Sequence, residues 1–333
     1  MNTGSVDVVI PVFNGEAFIA RAILSAARQT VRPNRIIVVD DGSRDASATV
    51  ATAAAGSASP VPVLILKKEN GGPNSARNLG LRQCTSEFVA FLDADDEWLP
   101  DKLEKQLAVF AASAFPNLGV VYGLYRYIDD QSRDITDDVL RWMPSSFDPS
   151  WRGNIYDKLV TGNRILGSAS AVLIPRACFE KAGVFDESLR FGEDWEMWIR
   201  LAEHFAYDYV PAPLVCIRRH ANNAQRQASY IFPLEIDMIN TLGPRLPDAS
   251  LPHWFNVLIA RVWQRPFDIR RLSVITARLS PAMRRRLIPF SKGGPRRFAF
   301  LFLAVAVVSM VLYRLKMAYH RIFRNMPQPE EIR

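Results

Sequence analysis

Residues 35–43 of the chain read RIIVVDDGS, a short apolar run followed by two carboxylates, a glycine and a serine. The run is rich in Val and Ile, which is typical of a strand buried on both faces. A similar run, Val6–Phe13, lies upstream, and residues 16–29 between them carry apolar side chains at helical spacing. This order predicts a strand, a helix and a second strand.

The alternation of strand and helix continues to about residue 130. Helical patterns occupy residues 45–55, 74–83 and 101–112, and strand patterns occupy residues 61–66, 88–92 and 120–125. Strands that alternate with helices predict an α/β fold with a doubly wound, mostly parallel sheet. Such sheets bind ligands beyond the carboxyl ends of their strands, so polar residues at those ends are the first candidates for function.

Beyond residue 130 the alternation weakens. We predict a loop at 142–153, a strand at 168–174, a helix at 193–204, short strands at 207–210 and 214–218, and a helical pattern interrupted by prolines at 230–290. The expected organisation is one domain over 1–225, with halves 1–130 and 131–225, a helical region over 226–290 and a separate tail over 291–333.

The composition argues against several classes of protein. A hydrophobic fraction of 49% and a charged fraction of 23% are ordinary for a folded chain and disfavour disorder. The three cysteines have no CxxC spacing, which disfavours a disulfide framework or a zinc cluster. No signal-peptide pattern precedes the first predicted strand, so we expect the folded part to stay in the cytoplasm.

Two adjacent carboxylates, Asp40 and Asp41, stand at the end of the second predicted strand, before Gly42 and Ser43. In this position they are suited to accept hydrogen bonds from a nucleobase or a ribose. Asp and Ser also form Asx turns and helix N-caps without any ligand. The pattern alone fits both interpretations.

A denser acidic cluster follows the fourth predicted strand, where Asp93, Ala94, Asp95 and Asp96 are consecutive. Three carboxylates in four residues repel each other unless a cation or a helix start compensates their charge. Carboxylate oxygens are ligands that Mg²⁺ and Mn²⁺ prefer, commonly together with substrate phosphates. The cluster fits a metal site, and it also fits an acidic turn before the next helix.

Residues 70–78, NGGPNSARN, place a glycine-rich turn directly before a predicted helix. Backbone N–H groups at such a helix start attract anions, and Arg77, one turn into the helix, is suited to pair with a phosphate. The segment is neither GxGxxG nor GxxxxGK[ST], so the sequence does not support a nicotinamide-dinucleotide site or a P-loop.

Taken in order and spacing, the segments at 11–15, 40–43, 72–78 and 93–96 resemble the family 2 glycosyltransferases of the GT-A fold. The similarity covers residues 5–130, and a second block extends it to about 225. It implies an inverting transferase that uses a UDP-, GDP- or dTDP-sugar with Mn²⁺ or Mg²⁺. The resemblance assigns substrate binding to Pro11, Phe13, Asn14, Asp40, Asp41, Arg77, Asp93, Ala94, Glu193 and Trp195, and metal binding to Asp95, Asp96 and His220.

Within that set the resemblance implies finer roles. Pro11, Phe13 and Asp41 are expected at the base, Asp93 on the ribose side, and Asp95 at the metal that bridges the diphosphate. His220 lies in RRHANN at 218–223, which resembles the family's Arg-x-His-x-x-Asn segment and implies a place near the metal or the diphosphate.

The second block reads FDESL at 185–189 and GEDWEMW at 192–198. Inverting transfer needs a base that takes the proton of the acceptor hydroxyl as this oxygen attacks the anomeric carbon. Asp194 opens a predicted helix and matches the family's Glu-Asp motif, so we predict it as the catalytic base. The helix dipole alone also favours acidic residues at a helix start.

The C-terminal tail has its own character. From Arg261 to Arg333 there are 16 Lys and Arg against 3 Asp and Glu, whereas the first 260 residues have 25 against 31. Phe298–Tyr313 is apolar except for Ser309, and as a helix it spans roughly 24 Å, less than the roughly 30 Å of a bilayer core. Flanking basic side chains, with 284–286, favour anionic headgroups, so we expect membrane association, by a short or tilted span or by an interfacial helix. A C-terminal helix buried in the protein is the alternative.

Together these features predict a glycosyltransferase at the cytoplasmic face of the plasma (inner) membrane. We expect it to act on a lipid-linked glycan or a cell-surface polysaccharide precursor, with membrane lipids as partners and without nucleic acid. The absence of a Gln-x-x-Arg-Trp signature disfavours a processive synthase. Two alternatives remain: a sugar-nucleotide nucleotidyltransferase, and a membrane-bound protein that binds nucleotide-sugar or a partner without catalysis.

Overall fold

The computed structural model describes residues 4–142, 147–165, 167–220, 236–251, 253–254 and 278–287. The chain divides into two compact units, Met1–Ala228 and Ser229–Arg333. The predicted subdivision at residues 225 and 290 stays a prediction.

One sheet of eight strands forms the centre of the first unit, in the order β3-β2-β1-β4-β7-β6-β8-β5. The strands are β1 Val6–Val12, β2 Arg35–Asp40, β3 Val63–Lys67, β4 Phe88–Phe91, β5 Glu97–Trp98, β6 Leu118–Ile128, β7 Val172–Pro175 and β8 Ala206–Arg218. β1, β2, β3 and β4 pair in parallel, β6 and β8 also pair in parallel, and β7 and β5 run antiparallel to their neighbours. Six strands therefore point the same way and end at one edge of the sheet.

Helices cover the sheet: α1 Ile19–Ala27, α2 Ser47–Ser57, α3 Pro73–Gln83, α4 Lys102–Ala112, α5 Thr136–Trp142, α6 Tyr156–Leu159, α7 Cys178–Ala182 and α8 Glu193–Ala202. The Val and Ile side chains of β1 and β2 are almost wholly buried, as expected for strands that are covered on both faces. α1 contributes Ile19, Ala22, Ile23 and Ala26 to the same core, at the helical spacing seen in the sequence. The predicted mixed α/β architecture is confirmed.

Several predicted boundaries differ from the structure. The predicted strand at 168–174 begins as a 3-10 helix, Ala169–Ala171, and only then becomes β7. The two strands predicted at 207–210 and 214–218 are one strand, β8, whose pairing with β6 shifts in register near the prolines at 211 and 213. Because neither proline can donate to a ladder, the sequence suggested a break where the strand has a bulge.

The sequence also concealed several short elements. α5, which was not predicted, ends at the first residue of the predicted loop at 142–153, of which residues 143–146 lie outside the described part. The two-residue strand β5 and the helices α6 and α7 were not predicted, because elements of two to five residues carry too few positions to show a period.

In the second unit, residues 236–242 are helical, and two 3-10 helices and the helix Pro281–Leu287 follow. Arg286 donates to the carbonyl of Leu246 at 2.6 Å and pairs with Asp248, and its expected attraction to headgroups stays a prediction. Among the described residues no helix is both long enough and apolar enough to cross a membrane. The apolar run at 298–313 lies outside those residues.

Candidate active site

The strand ends that carry the sequence motifs meet at one edge of the sheet. β1 and β2 are adjacent, with Val12 opposite Asp40, and the N–H of Asp41 donates to the carbonyl of Val12 at 2.8 Å. β4 lies on the other side of β1, and the N–H of Leu92 donates to the carbonyl of Val9. The predicted convergence of these motifs is therefore a feature of the fold.

Asp40 and Asp41 are both buried, and each shapes a loop. Asp40 Oδ1 accepts from the N–H of Ser43 at 2.9 Å, which is the Asx turn that the sequence left open. The Asp41 carboxylate accepts from Lys68 Nζ at 2.7 Å and from the N–H groups of Gly71 and Gly72 at 2.9 and 2.7 Å. Asp41 thus holds the glycine-rich turn beside β2, and its predicted contact with a base stays a prediction.

The segment after β1, residues 13–18, forms a rim beside the loop that follows β2. Pro11 is buried within β1, whereas Phe13 leaves 49% of its surface exposed. Asn14 has a left-handed backbone, with φ of 51°, and its side chain accepts from the N–H of Arg44 at 2.9 Å. Its own N–H donates to Ser43 Oγ at 3.0 Å. An exposed aromatic ring therefore stands above a rigid polar rim, an arrangement that suits stacking on a planar ring.

In the acidic cluster after β4, Asp96 is turned inward. Its Oδ2 accepts from Ser170 Oγ at 2.7 Å and its Oδ1 from the N–H of Arg218 at 3.1 Å. Burial, and then the charges of Asp95 and Asp93, raise the pKa of Asp96 well above its usual range. Ser170 Oγ also accepts from the N–H of Asp93 at 3.0 Å, so one hydroxyl fixes both ends of the turn. Asp96 is placed as an anchor of the turn, and its predicted role as a metal ligand stays a prediction.

Asp95 is turned toward the rim, where it meets His220. Asp95 Oδ2 lies 3.0 Å from His220 Nε2, and the side chains are 34% and 13% exposed. The His220 ring packs against Phe18 with centroids 4.9 Å apart, and Ala94 lies beside Gly15. A carboxylate oxygen and an imidazole nitrogen converge here from positions 125 residues apart in the chain.

The donor set of this pair fits a divalent cation. Carboxylate oxygen and imidazole nitrogen both suit Mn²⁺, and Mg²⁺ is commonly held by one or two carboxylates together with phosphate oxygens. Within the described ranges, no group of three or more His, Cys, Asp and Glu side chains is arranged to hold a metal ion. Asp95 and His220 therefore fit a cation that takes its other ligands from a bound diphosphate and from water.

Arg218, a buried arginine to which the sequence analysis gave no role, hydrogen-bonds to the backbone of Asp95. Arg218 Nε donates to the carbonyl of Asp95 at 2.9 Å, and the guanidinium also bonds to Glu97 and to Ser132 Oγ. Its guanidinium carbon lies 4.9 Å from the centroid of the Phe18 ring. A basic residue at a strand end gives no sign in the sequence that its charge is buried, so only the fold reveals this support.

Arg77 connects the acidic cluster to the helix of the second motif block. Its guanidinium is buried and donates to Asp93 Oδ1 at 2.8 Å and to Glu193 Oε1 at 3.2 Å. Although burial opposes the charged form, the carboxylates of Asp93 and Glu193 raise the pKa of Arg77 above its ordinary value. Arg77 also donates to Asn74 Oδ1 at 3.3 Å, so it bonds to three side chains of the protein, and its predicted contact with the nucleotide stays a prediction.

Asp194 lies in the first turn of α8, after Gly192, whose φ of 69° turns the chain into the helix. Burial and the adjacent charge of Glu193 raise the pKa of Asp194 to about 7, against the lowering effect of Arg77. A carboxylate with a pKa near neutrality is suited to accept a proton at cellular pH. A pKa near 7 is compatible with the predicted role of Asp194 as the catalytic base, and that role stays a prediction.

The tryptophans of α8 have mainly structural contacts. Trp195 is partly buried, and its Nε1 donates to the carbonyl of Leu159 at 2.7 Å, while Trp198 is fully buried in the core. Trp195 remains close enough in sequence to Asp194 to line an acceptor site, and this stays a prediction.

Asn74 and Asn78 were quoted in the sequence motif without a role. They donate to backbone carbonyls of the segment 185–189, at distances between 2.7 and 3.1 Å. Arg190 continues from this segment over the glycine-rich turn, and its Nη1 donates to the carbonyl of Gly71 at 3.3 Å. Gly72 has φ of 93°, a backbone conformation that favours glycine, whereas the Arg190 guanidinium above it is the end of a flexible side chain and imposes no such requirement.

The family model described as glycosyl transferase family 2 matches residues 7–165. An uncharacterised glycosyltransferase of Rickettsia prowazekii is 31% identical over 218 residues, covering 65% of this chain and 64% of the relative. One of Rickettsia conorii is 30% identical over 67% of this chain and 35% of the relative. Residues 7–165 of the chain therefore form a glycosyl transferase family 2 domain. The chain spans less than two thirds of the length of these relatives.

A solved structure shares the fold of this chain. The complex of S. aureus TarS residues 1–349 with UDP-GlcNAc superposes with a TM-score of 0.56 and covers 92% of this chain and 89% of TarS. The sequence identity is 18%, so this similarity concerns the fold alone.

Proposed function

We propose that the chain transfers a sugar from a nucleoside-diphosphate sugar to an acceptor hydroxyl, with inversion at the anomeric carbon. The observation that carries this proposal is that two carboxylates in different environments, those of Asp95 and Asp194, belong to one site. Asp95 lies at the rim beside His220. Asp194 has a pKa near 7 and follows Glu193 in the chain. Arg77 pairs with both Glu193 and Asp93, which connects the two places. The family 2 domain and the UDP-GlcNAc complex of TarS support the choice of donor class.

Each residue then has a defined task. Asp194 accepts the proton of the acceptor hydroxyl as its oxygen forms a bond to the anomeric carbon and the bond from that carbon to the diphosphate oxygen breaks. The electron pair leaves with the diphosphate. Asp95 and His220 would hold a divalent cation, which when bound would supply positive charge next to the departing diphosphate. Phe13 offers its exposed ring to the base, while Asp41 fixes the glycine-rich turn through Gly71 and Gly72.

The acceptor and the location are further parts of the proposal. We expect a lipid-linked glycan or a cell-surface polysaccharide precursor at the cytoplasmic face of the plasma membrane. The support is the basic composition of the tail and the apolar run within it. A sugar-nucleotide nucleotidyltransferase would produce a nucleotide-sugar rather than consume one, and the experiment below distinguishes the two directions.

The test uses the full chain in mild detergent with Mn²⁺ or Mg²⁺ and a panel of UDP-, GDP- and dTDP-sugars, with and without bacterial lipid extract. The readout is free nucleoside diphosphate. We expect metal-dependent release from one donor, stimulation by lipid, and loss of release in Asp95→Ala but not in Asp138→Ala, which removes an exposed carboxylate of α5. Absence of release from every donor, together with no nucleotide binding by calorimetry, would contradict the proposal.

A further inference from the structure

The hydroxyl of Ser170 lies between the two ends of the acidic turn, residues 93–96, that follows β4. The turn closes through the N–H of Asp96, which donates to the carbonyl of Asp93 at 3.0 Å. Ser170 Oγ accepts from the N–H of Asp93 at 3.0 Å and donates to Asp96 Oδ2 at 2.7 Å. Ser168 Oγ donates to the same oxygen at 3.3 Å. Since a hydroxyl has one proton and two lone pairs, these bonds use the whole hydrogen-bonding capacity of Ser170.

These bonds bear on which carboxylate of the acidic turn faces the rim. Asp95 occupies the second of the two central positions of a turn closed between residues 93 and 96. Asp96 is held inward, because its two oxygens accept from Ser170 Oγ and from the N–H of Arg218. Asp95 reaches His220 instead, with Oδ2 3.0 Å from Nε2. The orientation of Asp95 therefore depends on the hydroxyl that holds both ends of its turn.

Ser170 is itself fixed by three buried side chains spaced four residues apart. The carbonyls of residues 170, 171 and 172 accept from Trp98 Nε1 at 3.0 Å, from Gln106 Nε2 at 2.9 Å and from Lys102 Nζ at 3.3 Å, respectively. Lys102 Nζ also donates to Gln106 Oε1 at 2.7 Å and lies 4.1 Å from the centroid of the Trp98 ring. All three side chains are almost wholly buried. A shift of the segment 170–172 would leave these polar groups buried without partners, which is costly.

We propose that Ser170 is a positioning residue for the divalent cation, because its hydroxyl holds the acidic turn so that Asp95 presents its carboxylate beside His220. This inference rests on the proposed function. Its physical basis is that loss of the hydroxyl leaves the Asp96 carboxylate and the Asp93 N–H without this partner, so the turn must rearrange to satisfy them. Groups that hold metal ligands in place typically contribute about 10- to 100-fold to metal affinity.

The experiment compares Ser170→Ala and Ser170→Cys with the wild type, each as the full chain in mild detergent. Ser86→Ala is the matched control, because it removes the hydroxyl of another buried serine, which lies before the opposite end of β4. For each protein, the Mn²⁺ concentration that gives half-maximal release of nucleoside diphosphate is measured with the donor that the wild type uses. The Kd for UDP, GDP or dTDP is measured by calorimetry with and without Mn²⁺.

We expect Ser170→Ala to raise the Mn²⁺ concentration for half-maximal release about 10- to 100-fold, while the nucleotide Kd without Mn²⁺ changes less than about 3-fold. Ser170→Cys keeps the shape but has a weaker donor, so it should raise the Mn²⁺ concentration by a smaller factor. Ser86→Ala should match the wild type in both measurements. A general loss of structure would weaken nucleotide binding with and without Mn²⁺ alike, whereas loss of positioning weakens it only with Mn²⁺.

An unchanged Mn²⁺ requirement in Ser170→Ala would overturn the proposal, and so would an equal rise in nucleotide Kd with and without Mn²⁺. If Ser170→Ala fails to fold, Ser170→Cys carries the test. If the wild type consumes no donor, the proposed function alone is rejected, and crystal structures of the wild type and Ser170→Ala then decide. The distance of 3.0 Å between Asp95 Oδ2 and His220 Nε2 should be lost in Ser170→Ala, and its retention would overturn the proposal.

Discussion

At the end of β2, the carboxylates of Asp40 and Asp41 accept hydrogen bonds from backbone N–H groups and from Lys68. At the ends of β4 and β8 and the start of α8, Asp95 meets a histidine, and Asp194 is desolvated beside another acid. Both regions look equally acidic in the sequence. Carboxylates that accept hydrogen bonds from N–H donors hold loops in place. Carboxylates close to other negative charges have a changed affinity for protons and cations, and catalytic sites depend on such groups.

The largest expected effect is on kcat, at Asp194, a carboxylate to which we assign a catalytic rather than a structural role. Asp194→Asn removes the proton acceptor with little change in shape, so kcat should fall by about 10²- to 10⁴-fold. The nucleotide Kd, measured by calorimetry, should stay close to that of the wild type. An active Asp194→Asn protein would show that the base lies elsewhere.

The wild-type pH profile tests the same region without mutation. Since the proposed base must be ionised and the pKa of Asp194 is raised to about 7, kcat should fall about tenfold per pH unit below pH 7. If kcat instead begins to fall only near pH 4, the pKa of the base is not raised, and this would contradict the assignment of Asp194 as a desolvated base.

The raised pKa of Asp194 should also affect stability: kcat should rise with pH, whereas the free energy of unfolding should fall. The unfolded carboxyl loses its proton near pH 4, whereas the folded one keeps it to about pH 7. The folded state binds more protons between these values, so this group lowers the free energy of unfolding as the pH rises from about 4 to 7. Urea unfolding of Asp194→Asn and wild type should therefore diverge over that range, with the variant gaining relative stability at higher pH.

At the end of β2 the expected loss is in stability. Asp41→Asn keeps the shape but weakens acceptance from Lys68, Gly71 and Gly72, and should lower the free energy of unfolding by about 1–3 kcal/mol. Urea denaturation checks this, and Asp138→Ala, at an exposed position, should change it by less than about 0.5 kcal/mol. If Asp41→Asn and Asp138→Ala change the free energy of unfolding equally, the carboxylates at the end of β2 do not have the structural role described above.

The smallest effect is expected at Phe13. Its ring is half exposed, so Phe13→Ala should leave stability almost unchanged and weaken nucleotide binding by about 0.5–1.5 kcal/mol through lost stacking. Calorimetric titration with UDP, GDP or dTDP provides the measurement, and unchanged affinity would place the base away from this rim.

The sequence predicted β2 and the ends of β1 and β4 well, because runs of Val and Ile buried on both faces leave a clear pattern. It also placed Asp194 in the first turn of a helix. It did not show that Asp96 faces inward while Asp95 faces outward, since this depends on Ser170 and Arg218, which join the turn from distant strands. The burial of Arg77 and Arg218 was equally hidden, because charged residues are expected at the surface unless their partners are known.

The 125-residue separation of Asp95 and His220 also bears on how the protein is made. β1 to β4 are complete once residue 91 has been synthesised, but β8, which pairs with β6 and leads to His220, begins only at residue 206. Until then one long side of β6 has no neighbouring strand and presents open backbone groups, the kind of edge that favours association between chains. The corner at which we propose a metal is thus completed only after β8 has been synthesised. A ribosome-bound chain that stops short of residue 206 contains the proposed base but neither Arg218 nor His220, which both contact Asp95.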